Sequence, residues 1–421
     1  MSDFNDVCRY FRLQKTAIEG KGGTVSVANT NPSPSELLAG IQSIPTGTPI
    51  VASSGYAIVV AERPNTTLKL YNSSETLLST KTTHATQGGV VNFSVSSTGN
   101  YIVKAYDSQN VELWTNSITI SQVGVYNLKP SLLMDAYSWA DINRAAYYDY
   151  ARYMFNLWDF KKLASFMGST SETYTKVYAV GSNHDDKVGG GKAGIAFLLE
   201  RTSSSYKHDN SSSTNINGIS WMGSLIRQNC LKSGENYYHY EISVTSSTSG
   251  TYYVYNEVTD DFDAVSLPSQ YIAGTKYYTK GTMSADGAFI AGLPVEMLNY
   301  IVQVKKKTWG GYGNSAGSSD NTIMETKDWL FCPSDSEVFG HDNRGVTYSK
   351  YALEGEQYEA FATKFMENKL RNSTSRWLRS PNTSYSYFFC SISNGGYVNT
   401  STATSGYYPV LCFCIGAQPQ S

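Results

Sequence analysis

The stretch at residues 376–413, RWLRSPNTSYSYFFCSISNGGYVNTSTATSGYYPVLCF, places two apolar runs on either side of a long polar segment. The first run alternates like a core strand over residues 377–381. Trp377 is therefore expected in the core, and Arg379 is expected to pair internally. Pro381 should end the strand, because proline removes a donor from the hydrogen-bond ladder.

The second run, residues 408–415, is apolar at nearly every position. A strand of this kind is expected to be buried on both faces of a sheet. Its two cysteines, Cys412 and Cys414, share one face by the strand period of two. We interpret them as core thiols rather than metal ligands.

The segment between the runs is rich in Asn, Ser, Thr, Tyr and Gly and has almost no charge. Its aromatic side chains are costly to expose unless they bind something, although a flexible polar loop remains an open alternative. We predict a ligand-binding surface here. The predicted ligand-binding residues are Asn382, Ser384, Tyr385, Tyr387, Phe389, Asn394, Tyr397, Asn399, Thr404, Tyr407 and Tyr408.

The composition favours recognition over chemistry. Charged residues make up 16% of the chain and aromatic residues 13%, so the surface must be polar through Tyr, Ser, Thr, Asn and Gly. Tyrosine gives a large contact area at low rotamer cost, as in antibody paratopes, although Tyr and Thr also favour ordinary strands. The net charge of −2 gives no attraction to phosphate backbones, so we do not expect nucleic acid as a partner.

The sequence carries no sign of export or of a cofactor. No basic segment followed by an apolar run begins the chain, and no apolar stretch of about 18 residues occurs, so we predict synthesis in the cytoplasm without a signal peptide or membrane insertion. The six cysteines form no Cys-x-x-Cys pair, which argues against a disulfide framework or a zinc knuckle. No metal and no cofactor is expected.

The periodicity divides the chain into three predicted regions. Residues 1–47 predict two short helices separated by a glycine turn and prolines. Residues 48–127 alternate with a period of two, with turn clusters at the spacing of a β-sandwich. Residues 128–421 predict a mixed α+β domain, in which residues 233–285 form a Tyr-rich β-hairpin insertion. A helix is expected after Ser138, which would cap it.

Four motifs occur in order in the third region. The first is SWADINRAA, and the second is VGSNHDDKVGGGKAGIAFLLE. The third combines NINGISWMGSLIRQNCL, LPVEMLNYIVQVKKKTWGG and TKDWLFCPSDSEVFG, and the fourth is the RWLRSP…PVLCF stretch. They resemble a domain of uncharacterised function from gut bacteria and prophages that is related to the C-type-lectin fold. One departure is Tyr408, where that family usually has Arg. The run TGNYIVKAYDSQN, in the second region, is similar to a hairpin of immunoglobulin-like modules on bacterial and phage surface proteins.

These resemblances imply a multidomain chain: a short helical N-terminal segment, an all-β immunoglobulin-like sandwich and an α+β C-type-lectin-like domain. In lectin-like folds the segment after the WLRSP motif forms the exposed binding surface, and in proteins diversified by retroelements it is the segment that varies. Residues 1–47 resemble the N-terminal segments of phage tail and head-fibre proteins, which implies a helical attachment or oligomerisation segment. A homo-oligomer is therefore expected, with a trimer favoured.

The run from His184 to Gly194 has features of two kinds of binding site, a phosphate-binding loop and a metal site, and we reject the first. A phosphate-binding loop needs Ser or Thr after the lysine, whereas Ala193 follows Lys192. A metal site would use His184 with a neighbouring aspartate, but no second ligand cluster has suitable spacing. We predict instead that the acids and glycines close a tight turn between two strands.

The sequence thus predicts a non-enzymatic receptor-binding protein of a phage or prophage tail. Its expected partners are a host cell-surface protein or glycan and other tail proteins, and its expected location is the virion. A bacterial surface adhesin of the same fold is the first alternative. The second is an oxidase of the formylglycine-generating type, because that lectin-like enzyme uses paired cysteines.

Overall fold

The computed structural model describes residues 55–163, 175–200, 202, 204–209, 220–241, 243–310, 322–340, 351–362, 374–382 and 387–419. The predicted helical segment at 1–47 lies outside these ranges. The strands, in chain order, are β1 (Tyr56–Glu62), β2 (Thr67–Asn72), β3 (Leu77–Thr82), β4 (Gly89–Val95), β5 (Gly99–Tyr106), β6 (Glu112–Ile120), β7 (Gly124–Asn127), β8 (Phe160–Leu163), β9 (Thr175–Ser182), β10 (Ile195–Leu199), β11 (Asn236–Glu241), β12 (Gly250–Asn256), β13 (Asp261–Leu267), β14 (Tyr277–Thr282), β15 (Ile301–Val302), β16 (Val304–Trp309), β17 (Ile323–Asp328), β18 (Leu330–Phe331), β19 (Arg376–Pro381), β20 (Phe388–Ile392), β21 (Val398–Thr402), β22 (Tyr408–Pro409) and β23 (Cys412–Ile415).

Helices are fewer and shorter. The α-helices are α1 (Trp139–Tyr147), α2 (Ala151–Met154), α3 (Leu225–Gln228), α4 (Ala288–Ala291), α5 (Val295–Leu298) and α6 (Asp335–Phe339). Short 3-10 helices lie at Met134–Ala136, Trp221–Gly223 and Tyr351–Glu354. None of the helices in the described ranges combines the length and the apolar character that crossing a bilayer requires. The chain is thus rich in β-structure, as predicted.

The chain forms two compact units. Among the described residues, unit 1 comprises those in 55–132 and 148–154, and unit 2 comprises those in 133–147 and 155–419. The predicted region boundary at 127/128 falls at the end of β7, and residues 148–154 belong to unit 1 although they follow part of unit 2 in sequence.

Unit 1 contains two sheets that share one hydrophobic core. One sheet has the strand order β4-β1-β7 and the other β3-β2-β5-β6. Alternating apolar residues of both sheets meet between them. The buried members are Ile58, Val60, Leu68, Leu70, Phe93, Tyr101, Val103, Ala105, Trp114, Ile120 and Leu128. Trp114 anchors this core through its indole Nε1, which donates to the buried Glu62 carboxylate at 2.7 Å.

Unit 2 is organised around a six-stranded sheet. Its strand order is β15-β23-β10-β9-β8, and β18 also pairs with β23. Both β10 and β23 are buried at every position, which confirms the prediction of a last strand covered on both faces. Gly194, just before β10, has a φ of +79°, and a Cβ there would strike the Ile415 carbonyl. Only glycine fits this close approach to the end of β23.

Two local predictions meet different outcomes. The helix predicted after Ser138 is confirmed: α1 begins at Trp139, and the Asp141 backbone N–H donates to the Ser138 hydroxyl oxygen at 3.1 Å. The β-hairpin predicted at 233–285 is part of a larger element: β12 and β13 form an antiparallel hairpin, and β11 and β14 extend it to a four-stranded sheet with the order β11-β14-β12-β13. Sequence alternation identified its strands but could not reveal how many of them pair together.

Candidate functional site

The predicted recognition segment is built on the β-hairpin of β20 and β21. The two strands pair in antiparallel register from Phe388 opposite Thr402 to Ile392 opposite Val398. A tight turn joins them, in which the Ser393 N–H donates to the Tyr397 carbonyl at 2.8 Å. Gly396 completes the turn at a φ of +82°, a conformation that glycine adopts without steric cost.

The hairpin has a buried strand and an outward-facing strand. In β20 every residue after Phe388 is buried, whereas the residues of the turn and of β21 are half-buried or exposed, apart from the buried Gly396. Tyr397 at the turn is 63% exposed, and Asn394 and Asn399 are also exposed. These three predicted contacts are therefore accessible, two of them in the turn and one on β21, beside the buried strand β20.

Two predicted ligand contacts belong to the interior instead. Phe389 has none of its surface exposed, and its ring stacks on the His208 ring with centroids 3.6 Å apart. Asn382 is buried, and its backbone N–H donates to the Phe388 carbonyl at 2.8 Å. The prediction of surface contacts was wrong for both, because an uncharged polar segment does not reveal which of its positions face the core.

The remaining predicted contacts are half-buried or lie outside the described ranges. Tyr407 is fixed in place: its ring lies 4.8 Å from the Trp377 ring, and the Ser401 hydroxyl donates to its hydroxyl oxygen at 3.1 Å. The other half-buried members are Tyr387, Thr404 and Tyr408. Ser384 and Tyr385 fall in residues 383–386, outside the described ranges.

A cluster of charged side chains lies in the interior of unit 2. Lys306 on β16 contacts Asp185, from the connection between β9 and β10, and donates to Glu337 Oε1 of α6 at 3.0 Å. Arg379 on β19 holds Glu337 with two hydrogen bonds, of 2.5 and 3.0 Å. All four side chains are buried. The predicted internal pairing of Arg379 is thereby confirmed.

The cluster holds two positive and two negative charges, so it is electrically balanced. Burial would raise the pKa of Asp185, but Lys306 and His184 outweigh burial and lower it. The pKa of Glu337 is lowered in the same way by Arg379 and Lys306. Glu354 lies beside the cluster, and burial raises its pKa to about 8. Its carboxyl is therefore mostly protonated at neutral pH and adds little further charge.

Sequence reasoning missed Lys306 and Glu337. The alternation of β16 contained the signal, since Val304, Lys306 and Thr308 face inward while Lys305 and Lys307 face outward. The run of three lysines at 305–307 therefore contains one buried lysine between two solvent-facing lysines. For Glu337 the signal was the Ser334-x-x-Glu337 spacing, which forms a capping box at the start of α6.

The run from His184 to Gly194 forms the predicted turn, with one difference. Lys187 N–H donates to the Gly191 carbonyl at 2.8 Å, and Asp186 pairs with Lys192 at the surface. Asp185, however, points into the charged cluster and is 6% exposed. Across the described residues, no group of three or more His, Cys, Asp or Glu side chains is placed to hold a metal ion.

The paired cysteines lie where the sequence predicted, inside a core strand. Cys412 and Cys414 are both free thiols and both buried. Burial raises the pKa of each thiol well above its usual value. At neutral pH neither residue supplies the thiolate that nucleophilic or metal-binding chemistry needs. This arrangement gives no support to the oxidase alternative.

An open cleft beside the Tyr-rich sheet is a second candidate site. Its volume is about 270 Å³, which is slightly below the range of typical ligand pockets. Tyr238 and Phe262 line it, with their rings stacked 3.8 Å apart. Carboxylates from the insertion and from β17 also line it, but Glu325 is already paired with Lys305 at 2.9 Å. The cleft could accept a small polar group, although the hairpin has the more accessible aromatic surface.

Comparison with known proteins gives one match. Residues 194–415 match a family described as a domain of unknown function, DUF6273, and this match covers more than half of the chain. The chain belongs to this family. The match spans Lys306, Glu337, Arg379 and the β20–β21 hairpin, and it begins after Asp185. Searches of curated proteins and of solved structures found no match.

Proposed function

We propose that the chain is a non-enzymatic receptor-binding protein of a phage or prophage tail, which recognises a host cell-surface protein or glycan through the β20–β21 hairpin. The observation that carries this proposal is the contrast in burial between the two paired strands of the hairpin. Asn394, Tyr397 and Asn399 are exposed in the turn and on β21, while the neighbouring strand β20 is buried after Phe388. A surface of this kind can change in sequence without disturbing the core, as retroelement diversification requires.

The chemistry of the hairpin suits recognition of a protein or a glycan. Residues 382–408 contain no Asp, Glu, Lys, Arg or His. Such a surface offers amide and hydroxyl groups for hydrogen bonds and tyrosine rings for packing, which is the palette of antibody paratopes. It offers no fixed charge for a phosphate or a carboxylate. The ligand should therefore bind with little dependence on salt.

The finer fold assignments belong to the same proposal. For unit 1 we propose an immunoglobulin-like spacer. In its favour, the Tyr101 hydroxyl at the start of β5 donates to the Ser97 carbonyl at 2.8 Å, which is the pattern of a tyrosine corner. For unit 2 we propose a C-type-lectin-like domain that presents the hairpin. Residues 1–47 would attach the chain to other tail proteins and trimerise it, since several weak tips together give avidity.

Attachment to cells tests the proposal. Fluorescently labelled full-length chain is incubated with a panel of gut bacterial strains, and the retained label is measured at low and at moderate salt. We expect saturable retention on some strains and none on others, with little change between the two salt concentrations. Uniform retention that disappears with salt would indicate non-specific adsorption. Absence of saturable retention on every strain would also contradict the proposal.

A further inference from the structure

The amine of Lys306 is sealed inside unit 2 against two carboxylates. The side chain is 1% exposed, and its Nζ donates to Asp185 Oδ1, to Glu337 Oε1 at 3.0 Å and to the Tyr358 hydroxyl oxygen at 2.9 Å. The Phe331 ring covers it, with its centroid 3.9 Å from Nζ. A lysine amine, an aspartate carboxyl and a glutamate carboxyl thus meet in a buried apolar setting.

Backbone hydrogen bonds hold the lysine and the aspartate in register. The Lys305 N–H donates to the Asp186 carbonyl at 2.9 Å, and Lys187 pairs with Val304 in an antiparallel bridge. The segment that carries Asp185 therefore runs beside β16, so Asp185 and Lys306 face each other from adjacent segments of the chain. Holding two reacting groups in this way can supply an effective concentration of roughly 10⁵ M or more.

We propose that Lys306 and Asp185 condense to form an intramolecular amide bond between Nζ and Cγ, with Glu337 carrying the proton. The reaction joins an ammonium group and a carboxylate into an amide and releases one water molecule. It needs no oxidant, no reductant and no co-reactant. The product is a covalent cross-link between β16 and the connection that follows β9.

The steps follow from the contacts. A proton first passes from the Lys306 ammonium to Asp185 Oδ1, which leaves a neutral amine and a carboxylic acid. The amine attacks Cγ, and Glu337 takes a second proton from the nitrogen. Glu337 then returns that proton to the departing Oδ1 hydroxyl, so that the C–O bond breaks, water leaves and Glu337 is again a carboxylate.

Donors are in place for the charge that develops during attack. The Tyr358 hydroxyl donates to Asp185 Oδ2 at 2.8 Å, and the Cys414 thiol donates to the same oxygen at 3.1 Å. These two groups would stabilise the oxyanion of the tetrahedral intermediate, as paired donors do in acyl-transfer sites. Arg379 keeps Glu337 ionised and fixed, so that it is ready to accept the proton from nitrogen.

Electrostatics determines how fast the amide bond forms and whether the product is favoured. Burial would lower the pKa of Lys306, but Asp185 and Glu337 outweigh burial and raise it. The unreacted pair is therefore ionic, and the first proton transfer is uphill, so the bond should form slowly after folding. Condensation removes two buried charges and leaves the Glu337–Arg379 pair. The loss of their desolvation penalty favours the product.

The test is the intact mass of the full chain, measured under reducing and denaturing conditions after the folded protein has aged. We expect a mass lower than the sequence mass by one water molecule, after allowance for removal of Met1. Trypsin should fail to cut after Lys306 and should release a branched peptide that joins residues 177–187 to residues 306–307.

Two substitutions on β16 provide controls that keep the positive charge. Lys306→Arg keeps hydrogen-bond donors but lacks the nucleophilic amine, so its mass should equal its sequence mass. Lys305→Arg changes the solvent-facing neighbour, so it should still lose one water molecule. The proposal is overturned if aged wild-type protein keeps its full mass and is cut normally after Lys306. It is also overturned if Lys306→Arg, folded by circular dichroism, loses water as the wild type does.

Discussion

Trp377 shows how a single side chain can support the proposed recognition surface without belonging to it. It is fully buried, its indole Nε1 donates to the Tyr206 carbonyl at 2.8 Å, and it packs against the ring of Tyr407. Trp377→Ala would leave a large cavity and remove the indole hydrogen bond to Tyr206, and we expect a loss of roughly 3–5 kcal/mol in the free energy of unfolding. Urea denaturation measures this. A loss below about 1 kcal/mol would show that the site collapses around the gap or that Trp377 is not central to the core.

His208 makes a second prediction at the residue scale. It is completely buried against Phe389, and burial lowers its pKa to about 3 from an ordinary value of 6.5. The unfolded chain therefore binds a proton below pH 6.5 that the folded chain rejects, so this residue lowers stability as the pH falls from about 6.5 to about 3. The full effect is on the order of 5 kcal/mol.

The replacement His208→Phe isolates that effect. Phenylalanine keeps an aromatic ring beside Phe389 but cannot take up a proton. Unfolding free energies of both proteins at pH 7 and pH 5 give the comparison. The carboxylates of the charged cluster have lowered pKa values, so their effect on the pH dependence of the unfolding free energy falls mainly below pH 5. We expect the wild type to lose more stability than the variant, and equal losses would contradict the assignment.

At the scale of the element, α6 links helix capping to the buried charges. The Ser334 hydroxyl oxygen accepts the Glu337 N–H, and the Glu337 side chain accepts the Ser334 N–H. This capping box fixes the carboxylate that also holds Lys306 and Arg379. We expect Ser334→Ala to cost about 1–2 kcal/mol of unfolding free energy, at the upper end for a cap because the site is buried.

The cap of α1 provides the matched control. Ser138 accepts the Asp141 N–H in the same way, but it lies at the surface, where water can replace the lost hydrogen bond. Ser138→Ala should therefore cost less than Ser334→Ala in the same denaturation assay. If the two replacements lower the free energy of unfolding equally, the contact of α6 with the charged cluster does not strengthen the Ser334 cap.

What the sequence could predict depends on how local the signal is. The start of α1 and the burial of β23 follow from short-range patterns, and both were predicted correctly. The burial of Phe389 and the pairing of the four strands at 233–285 depend on partners that are distant in the sequence. Lys306 lies between these cases. The alternation of β16 indicates that Lys306 faces inward, but its carboxylate partners come from segments more than 30 residues away. Local patterns therefore identified the strand but not the cluster.

At the scale of the whole molecule, unit 1 is discontinuous in sequence. Residues 148–154 belong to it, and the Tyr150 hydroxyl donates to the Gln87 carbonyl at 3.0 Å. A fragment of residues 55–132 lacks this segment. When residues 148–154 are joined to it through a flexible linker, we expect a higher melting temperature, measured by calorimetry. Substituting Tyr150→Phe in the joined fragment should remove part of the gain. Equal melting temperatures for the two fragments would mean that the segment is not part of the folded unit.

The central claim is that the chain attaches to cells through the exposed edge of the β20–β21 hairpin, and binding of hairpin variants tests it most directly. The variants are Tyr397→Ala and Asn399→Ala, and Tyr147→Ala serves as a control because it removes an exposed tyrosine elsewhere in unit 2. Exposed aromatic anchors carry much of the energy of an interface, so Tyr397→Ala should weaken binding to a retained strain by on the order of 2 kcal/mol, or roughly 30-fold in Kd. Asn399→Ala should weaken it less, and Tyr147→Ala should leave it unchanged. If the folded Tyr397→Ala and Asn399→Ala variants bind as tightly as the wild type, the hairpin is not the recognition surface.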